Sequence, residues 1–339
     1  MARSSLASIY DDGPLVADVK SLSQLSNLRA ALAIAQEWLI IGATIGAAVY
    51  FDAWWSFLPA IFIVAARQHA LGIVMHDATH YRLFSSRRAN DLISDWFCAF
   101  PTGLSTLGYR ENHLAHHLAT NTDGDPYYVL MDNNAAWQWP KSKAAALRHL
   151  LAETFGWNTL RNMKMSHPWT AMGQYLLHRN EPAQRARVRF DLISTGVFWC
   201  LVAAALAVAG GWWYFAVLWI VPALTLYQLF VQLRWMSEHP YREATGDGYE
   251  THQVRGSALE RFFIAPLNIN YHITHHLFPA TPFYRLPRVH RRLLESPVYR
   301  DQANFFSNYL GSADSIWADV VTKPGRDAAK DEAHGRPTM

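Results

Sequence analysis

Four apolar runs, arranged as two tight hairpins, constrain this chain more than any other feature of its sequence. Residues 30–51 and 54–75 are joined by Asp52-Ala53, and residues 190–210 and 212–233 by the Gly210-Gly211 turn. As helices, such runs are long enough to cross roughly 30 Å of hydrocarbon. Backbone N–H and C=O groups in lipid must be satisfied within the segment, so the helix is the natural solution. The expectation is an all-α membrane protein with four transmembrane helices, and Trp212 and Trp213 stand where interfacial anchors belong. A composition of 51% hydrophobic and only 17% charged residues agrees with it.

Charge sets the orientation. Residues 76–188 carry 12 Lys plus Arg and residues 237–339 another 12, whereas the two hairpin turns carry none. The positive-inside rule then puts both termini and all the intervening polar segments in the cytosol as a helical cap. A net charge of +3 argues against a nucleic-acid partner. Cys98 and Cys200, the only cysteines, lie in apolar surroundings and indicate neither a disulfide framework nor a thiolate metal site.

Arg67-Gln68-His69 interrupts the second run. Charge at the bilayer centre is costly, so this helix is expected to leave the lipid near residue 67 and continue into water. Arg67 and His69 could meet the polar end of a substrate, with snorkelling or an internal salt bridge as the favoured reading. Residues 92–107 are too short to span and are punctuated by Pro101, Gly103 and Gly108, as in a re-entrant or surface-lying segment. Residues 142–166 read as one amphipathic helix at the headgroups. The domain plan is a cytosolic lead-in over residues 1–29, with a surface helix near Leu15 to Leu28, then a membrane domain over 30–311. A polar, loosely ordered tail follows over 312–339. The first residues lack the apolar core and cleavage site of a signal peptide.

Between these spans lie three histidine clusters: His76 and His80 at i and i+4, then His113, His116 and His117, then His272, His275 and His276. With 16 histidines, composition alone would yield one His-x-x-His-His in roughly one such chain in thirty, and two in on the order of one in a thousand, so chance is set aside. On a helix the second and third members of each triplet fall on the same face as the first, on either side of it, so one short helix can serve two neighbouring ions. His239, on a helix emerging from the fourth run, mirrors His76 and His80. All-imidazole coordination suits iron, zinc, copper or nickel and disfavours magnesium or calcium. Eight or nine histidines suffice for two ions. Two closed structural zinc sites would use them equally well, although a metal pair at the mouth of a membrane bundle faces lipid-borne substrates. Asp77, Asp125 and Glu238 are candidates for orienting imidazoles through their second N–H.

From about residue 30 to residue 295 the chain resembles the membrane-bound fatty acid desaturase and hydroxylase superfamily. The resemblance rests on His76-x-x-x-His80, His113-x-x-His116-His117 and His272-x-x-His275-His276 at matching places relative to four spans. The continuation Leu277-Phe278-Pro279 and Pro282-Phe283-Tyr284-Arg285-Leu286-Pro287 strengthens it. His76-Asp77-Ala78-Thr79-His80 with Tyr81-Arg82-Leu83-Phe84, and Asn270-Tyr271-His272, look like the bacterial dihydrorhizobitoxine-desaturase-like branch. What the resemblance implies is a non-haem diiron centre that activates O2 with two electrons from a separate donor and abstracts hydrogen from an unactivated carbon. It further implies His76, His117, His239 and His276 on one iron and His80, His113, His116, His272 and His275 on the other. Some relatives place a water-holding asparagine one helical turn before the lone histidine; here that position is Trp235. The His-Pro-Gly-Gly signature of a fused cytochrome b5 is absent, so an external donor is implied, of ferredoxin or cytochrome b5 type with its reductase.

The leading expectation is therefore an oxygen-dependent desaturase of a fatty acyl lipid or similar amphiphile in a bacterial inner membrane. A hydroxylase, or a desaturase of a small amino-acid-derived substrate, would use the same oxidant. A membrane zinc-site receptor or metal-handling protein is the reading from another class. The sequence leaves the oligomeric state open.

Overall fold

A computed structural model describes residues 6–127, 134, 137–239 and 251–322. Helix α1 spans Gly13–Leu22, α2 Asn27–Phe51 and α3 Trp54–Thr79. Helix α4 (Thr106–Ala119) carries the second histidine cluster. The second hairpin is α5 (Pro182–Ala209) and the helical run α6 (Trp212–Glu238), and α7 (His272–Leu277) and α8 (Leu286–Leu293) follow. Helices α2, α3, α5 and α6 are long and apolar enough to cross a membrane. Two short parallel pairings, Lys141–Ser142 with Val321–Thr322 and His252–Val254 with Asn304–Phe306, tie the polar segments together.

The two hairpin tips meet, since the Tyr214 hydroxyl donates to Asp52 Oδ1 at 3.1 Å. Asp52 itself turns the chain in the left-handed region (φ 45°), which an aspartate tolerates better than most side chains. All three histidine clusters lie at the other end. Helix α3 is the central post: Val64 to Thr79 is buried almost throughout, packed by α2, α4 and α6. Arg67 and Glu37 are both buried and form a salt bridge at 2.9 Å, as expected of a charge inside a bundle, and Arg67 also donates to the Phe262 carbonyl.

Several boundaries differ from the sequence reading. The helix of the second span continues past residue 67, as expected, but ends at Thr79 and not at 75, and the third begins at Pro182, eight residues before the apolar run. The fourth run reaches Glu238, with its backbone pulled out of helical geometry at Thr225 (φ −125°, ψ −97°). The Leu224 carbonyl released there accepts from Thr159 Oγ1 at 2.5 Å. That contact requires close approach: a Cβ on Gly156 would lie 2.6 Å from the same carbonyl oxygen, and Gly156 has φ +74°. The expected single helix over 142–166 is thus two, Lys143–Thr154 and Thr159–Ser166.

Both terminal segments are tied to the cap. Leu15 and Val19 of α1 pack with Val289 and Leu293 of α8, and the Tyr10 hydroxyl donates to the Leu277 carbonyl at 2.5 Å. The lead-in helix thus docks on the cap. The segment expected to be loose from residue 312 contains Ile316–Val320, whose two end residues are fully buried beside Met236 and Tyr309. Residues 323–339 lie outside the described residues.

Candidate metal centre

The first histidine pair owes its position to the end of α3. Its last carbonyls have no helical partner, and Arg110 of α4 takes them: Nε donates to Thr79 O at 3.0 Å and an Nη to Ala78 O at 2.9 Å. Arg110 is held in turn by Asp91 at 2.5 Å and lies over the Tyr81 ring. One guanidinium thereby clamps the first cluster against the helix bearing the second. The third cluster sits on the six-residue α7, entered through Leu267 (φ 55°) and Asn268 (φ 62°), two left-handed residues that reverse the chain just before it. Asn270 donates to Val254 O at 2.9 Å, and Asp77 Oδ2 accepts from the Phe283 backbone at 2.7 Å. These bonds lay α7 across the exit of α3.

The result is a single nest of imidazoles. His76, His80, His113, His117 and His275 present ring nitrogens that all lie within 4.8 Å of one another, and His116, His239 and His276 form a second such group. His272 joins the second, its Nε2 2.8 Å from His239 Nε2. The division that the resemblance implies is not the one the side chains make. His76 and His117 stand with His80, His113 and His275, while His116 and His272 stand with His239 and His276. The reason is helical phase. A residue at i+4 is about 40° from residue i around the axis, whereas i+3 is about 60° away in the opposite sense. His113 and His117 therefore share one side and His116 faces the other; His272 and His276 share one side and His275 crosses over.

The spacing fits ligands of metal ions. His117 Nε2 lies 3.0 Å from His113 Nε2 and 3.1 Å from His275 Nε2, and His113 Nε2 lies 3.0 Å from His80 Nε2. Nitrogens bound at right angles about 2.1 Å from one ion would stand about 3.0 Å apart. A neutral ring nitrogen carries either one hydrogen or one lone pair, so these three Nε2 contacts, which pass twice through His113 and His117, cannot all be hydrogen bonds. His239 Nδ1, His275 Nδ1 and His276 Nε2 are buried without a hydrogen-bond partner among the described residues. Burial, with the neighbouring imidazoles adding to it, holds His113, His117, His239, His272, His275 and His276 well below the usual histidine range. His80 is brought down to about 3 by the same burial, with the charges of Arg82 and Arg110 behind it. That direction favours the neutral ring, the form that binds metal.

The three candidate orienting carboxylates behave differently. Asp125 Oδ2 accepts from His116 Nδ1 at 2.8 Å, with both side chains buried. Glu238 Oε1 stands 3.5 Å from His272 Nδ1, a contact longer than a good hydrogen bond, and its other oxygen pairs with Arg234 at 3.2 Å. Asp77 is 3.9 Å from His76 Nδ1 and serves the Phe283 backbone, so it fastens the third-cluster loop and orients no ring. Two tyrosines went unnoticed in the sequence. Tyr127 stacks on His116 at 4.4 Å and its hydroxyl is 3.1 Å from His113 Nδ1; Tyr109 stacks on His113 at 5.3 Å. Tyr109 is one turn before His113 on α4, a spacing that signals the shared face. Tyr127 follows a turn and carries no such signal.

A cavity of about 230 Å³ lies beside the nest, separated from it by Tyr127 and Trp235, which line the cavity and stand against His116 and His239. Trp235 lies 5.5 Å from His239, ring to ring, so a bulky indole fills the helical position just before that histidine. Trp137, Trp169 and Tyr227 form the sides, and Gln68, Asn162 and Gln228 add polar groups.

Four helices are long and apolar enough to cross a membrane, and a nest of histidines able to hold metal lies at one end of them. The chain belongs to the fatty acid desaturase family, whose model matches residues 52–307. It is 28% identical over 310 residues to the dihydrorhizobitoxine desaturase of Bradyrhizobium elkanii, covering 90% of this chain and 87% of that protein. Over 80 residues, 22% of this chain and 18% of the other, it is 36% identical to the Delta(5) fatty acid desaturase fat-4 of Caenorhabditis elegans. A beta-carotene ketolase of a Paracoccus species is 25% identical over 219 residues, 64% of this chain and 72% of that one. The chain is thus an integral membrane enzyme, an oxidoreductase with histidine clusters able to hold metal.

Proposed function

We propose that this enzyme is an oxygen-dependent diiron desaturase that introduces a C=C bond into a fatty acyl lipid or similar amphiphile. The observation that carries the reading is the nest itself: two adjoining imidazole groups, side by side, with an aromatic-walled cavity just behind Tyr127 and Trp235. His76, His80, His113, His117 and His275 would hold one iron, and His116, His239, His272 and His276 the other. When bound, the iron pair supplies the oxidant, made from O2 and two electrons, that removes hydrogen from an unactivated carbon. Overall, two C–H bonds break, one C=C forms, and O2 with two electrons and two protons leaves as two waters. The electrons come from a separate carrier with its reductase.

The chain's own part is positioning. Asp125 fixes the His116 ring through its Nδ1, which leaves Nε2 for metal. Tyr127 and Trp235 bring the cavity wall against the rings and keep bulk water from the reacting carbon. By the positive-inside rule the nest and both termini face the cytosol, in a bacterial inner membrane.

A small amino-acid-derived amphiphile is the second reading. Asn162 and Gln228 bond within the cavity wall. Gln68 Oε1, however, is buried there without a hydrogen-bond partner among the described residues, a partner that a plain alkyl tail could not supply, and the relative matched over 90% of the chain is named for dihydrorhizobitoxine. Hydroxylation is the third outcome of the same oxidant. One experiment separates them: lipid and polar-metabolite profiles of a host expressing the wild type or His275→Ala, with O2 and a reductase. A product two hydrogens lighter that vanishes in the variant supports desaturation. A gain of one oxygen without a new double bond refutes it, and full zinc occupancy without iron-dependent turnover points to a zinc-site protein.

A further inference from the structure

A hydrogen-bonded chain runs from the third histidine cluster to the protein surface, away from the cavity. Thr274, between His272 and His275 on α7, meets the Tyr299 hydroxyl at 2.9 Å, and that hydroxyl is 3.0 Å from His290 Nδ1 on α8. Gln253 closes the ring: its Oε1 accepts from Thr274 N at 3.3 Å and its Nε2 donates to His290 Nδ1 at 2.9 Å. The Tyr271 ring, immediately before His272 in sequence, lies 5.1 Å from the His290 ring. Tyr271 and His290 together form part of the lining of an outer cleft of about 380 Å³. A group seated there is one residue from the nest.

The rim of that cleft is basic. Arg255 and Arg291 line it, and Arg288 lies one turn before Arg291 on the same face of α8. All three are exposed and form no ion pair with a described residue, whereas Arg292 is taken by Asp18 and Glu295, and Arg300 by Asp301. One acid, Asp314, also lines the cleft, where it accepts from Ser307 Oγ at 2.5 Å. The opposite face of α8 is committed to the core through Leu286, Val289 and Leu293. The segment leading into α8 is fastened to the end of α3 by Phe283 N and Asp77, beyond the apolar part of that helix. An exposed cluster of like charges beside a redox site attracts an oppositely charged partner and speeds its encounter.

We propose that this face docks an acidic one-electron carrier protein, and that electrons enter the metal centre through the Tyr271–His276 segment. The proposal rests on the desaturase reading. Two reduced carriers are each oxidised by one electron per double bond formed, and both electrons end in the water made from O2.

The test uses the full-length protein in nanodiscs with a [2Fe–2S] ferredoxin and its reductase, beside dithionite with a viologen mediator. Arg288→Glu with Arg291→Glu should raise the KM for ferredoxin roughly tenfold at low salt, a difference that shrinks near 0.5 M salt, with dithionite-driven product within about twofold of wild type. Arg288→Gln with Arg291→Gln should give a smaller rise, and Arg185→Glu, an exposed control on α5, none. An unchanged ferredoxin KM, or an equal loss with dithionite, overturns the docking site. So does lost binding to anionic phosphatidylglycerol vesicles with the KM unmoved, since the arginines would then serve the membrane. A wild type that makes no product with either reductant overturns the desaturase reading itself, whereas product with an unmoved KM overturns the docking site alone.

Discussion

Replacing Asp125 by asparagine should weaken one metal site and spare the other. Asp125 Oδ2 accepts from His116 Nδ1 at 2.8 Å and from Asn121 N at 3.1 Å, and Oδ1 accepts from Tyr127 N at 2.9 Å. An asparagine has one acceptor oxygen, so whichever way the amide turns, at least one of these three buried donors faces an NH2 group. Leaving a buried donor unmet costs about 1–3 kcal/mol. If the amide nitrogen faces His116, the ring also loses the group that fixes its tautomer, for which losses of about 10–100-fold in metal affinity are usual, or about 1.4–2.7 kcal/mol. His116 belongs with His239, His272 and His276, so the ion held there should leave at a chelator concentration about 10–100-fold lower than in the wild type. The ion of the five-histidine group should stay. Metal-to-protein ratios along a chelator titration, with a thermal melt beside them, read this directly. Asp77→Asn is the comparison, because Asp77 bonds the Phe283 backbone and no ring. Equal retention of both ions in Asp125→Asn, or equal loss in Asp77→Asn, would refute the reasoning.

Three further outcomes follow from the same geometry. Arg67→Ala leaves Glu37 buried without its partner at 2.9 Å and should cost about 3–5 kcal/mol, visible as a lower melting temperature; Arg67→Met with Glu37→Leu should recover most of it, and failure to recover would sink the account. Trp235→Ala extends the cavity toward His239 and should cost about 3–5 kcal/mol while shifting the position at which product is oxidised; an unchanged product pattern in gas chromatography would show that the indole does not set the depth of binding. His149 and His290 are both brought down to about 4 by burial. A folded pKa below the unfolded value of about 6.5 gives stability that is fully present above pH 6.5 and lost as pH falls toward 4. Each contributes at most about 1.4 kcal/mol per pH unit, so melts should decline over that window and His149→Gln should flatten the decline.

The spans were readable because apolar length is a local property. Two tight turns, 52–53 and 210–211, announced the hairpins, and charge excluded those turns from the polar end. The histidine clusters were equally readable, since three of them at helical spacing leave little room for accident. How they divide was not carried by the resemblance, yet the phase of i+4 against i+3 on α4 and α7 contains it. Interruptions were harder. Gly156 in Phe155-Gly156-Trp157 gives no hint that its missing Cβ admits the Leu224 carbonyl from α6, because the partner is far along the chain. Polar composition hid the docked C-terminal segment, where Ile316 and Val320 sit one turn apart and join Val321 and Trp317 against the core.

Phase also explains why two short helices suffice for so many ligands. A helix that offered i and i+4 alone would serve one ion, and a second helix would be needed for its neighbour. By adding i+3, α4 and α7 each place one imidazole across the divide, so the two groups cannot be separated without unwinding a helix. His116 and His275 are these crossing residues, and they come from different helices that approach from opposite sides: α4 is clamped to α3 by Arg110, and α7 is laid across α3 through Asp77 and Phe283. Helix α3, which contributes His76 and His80 to one group only, is thus the fixed reference against which both bridging helices are set. The spacing between the two imidazole groups is then determined by helix geometry within α4 and α7 and not by loop length. The bonds at the end of α3 decide whether the two helices arrive in register.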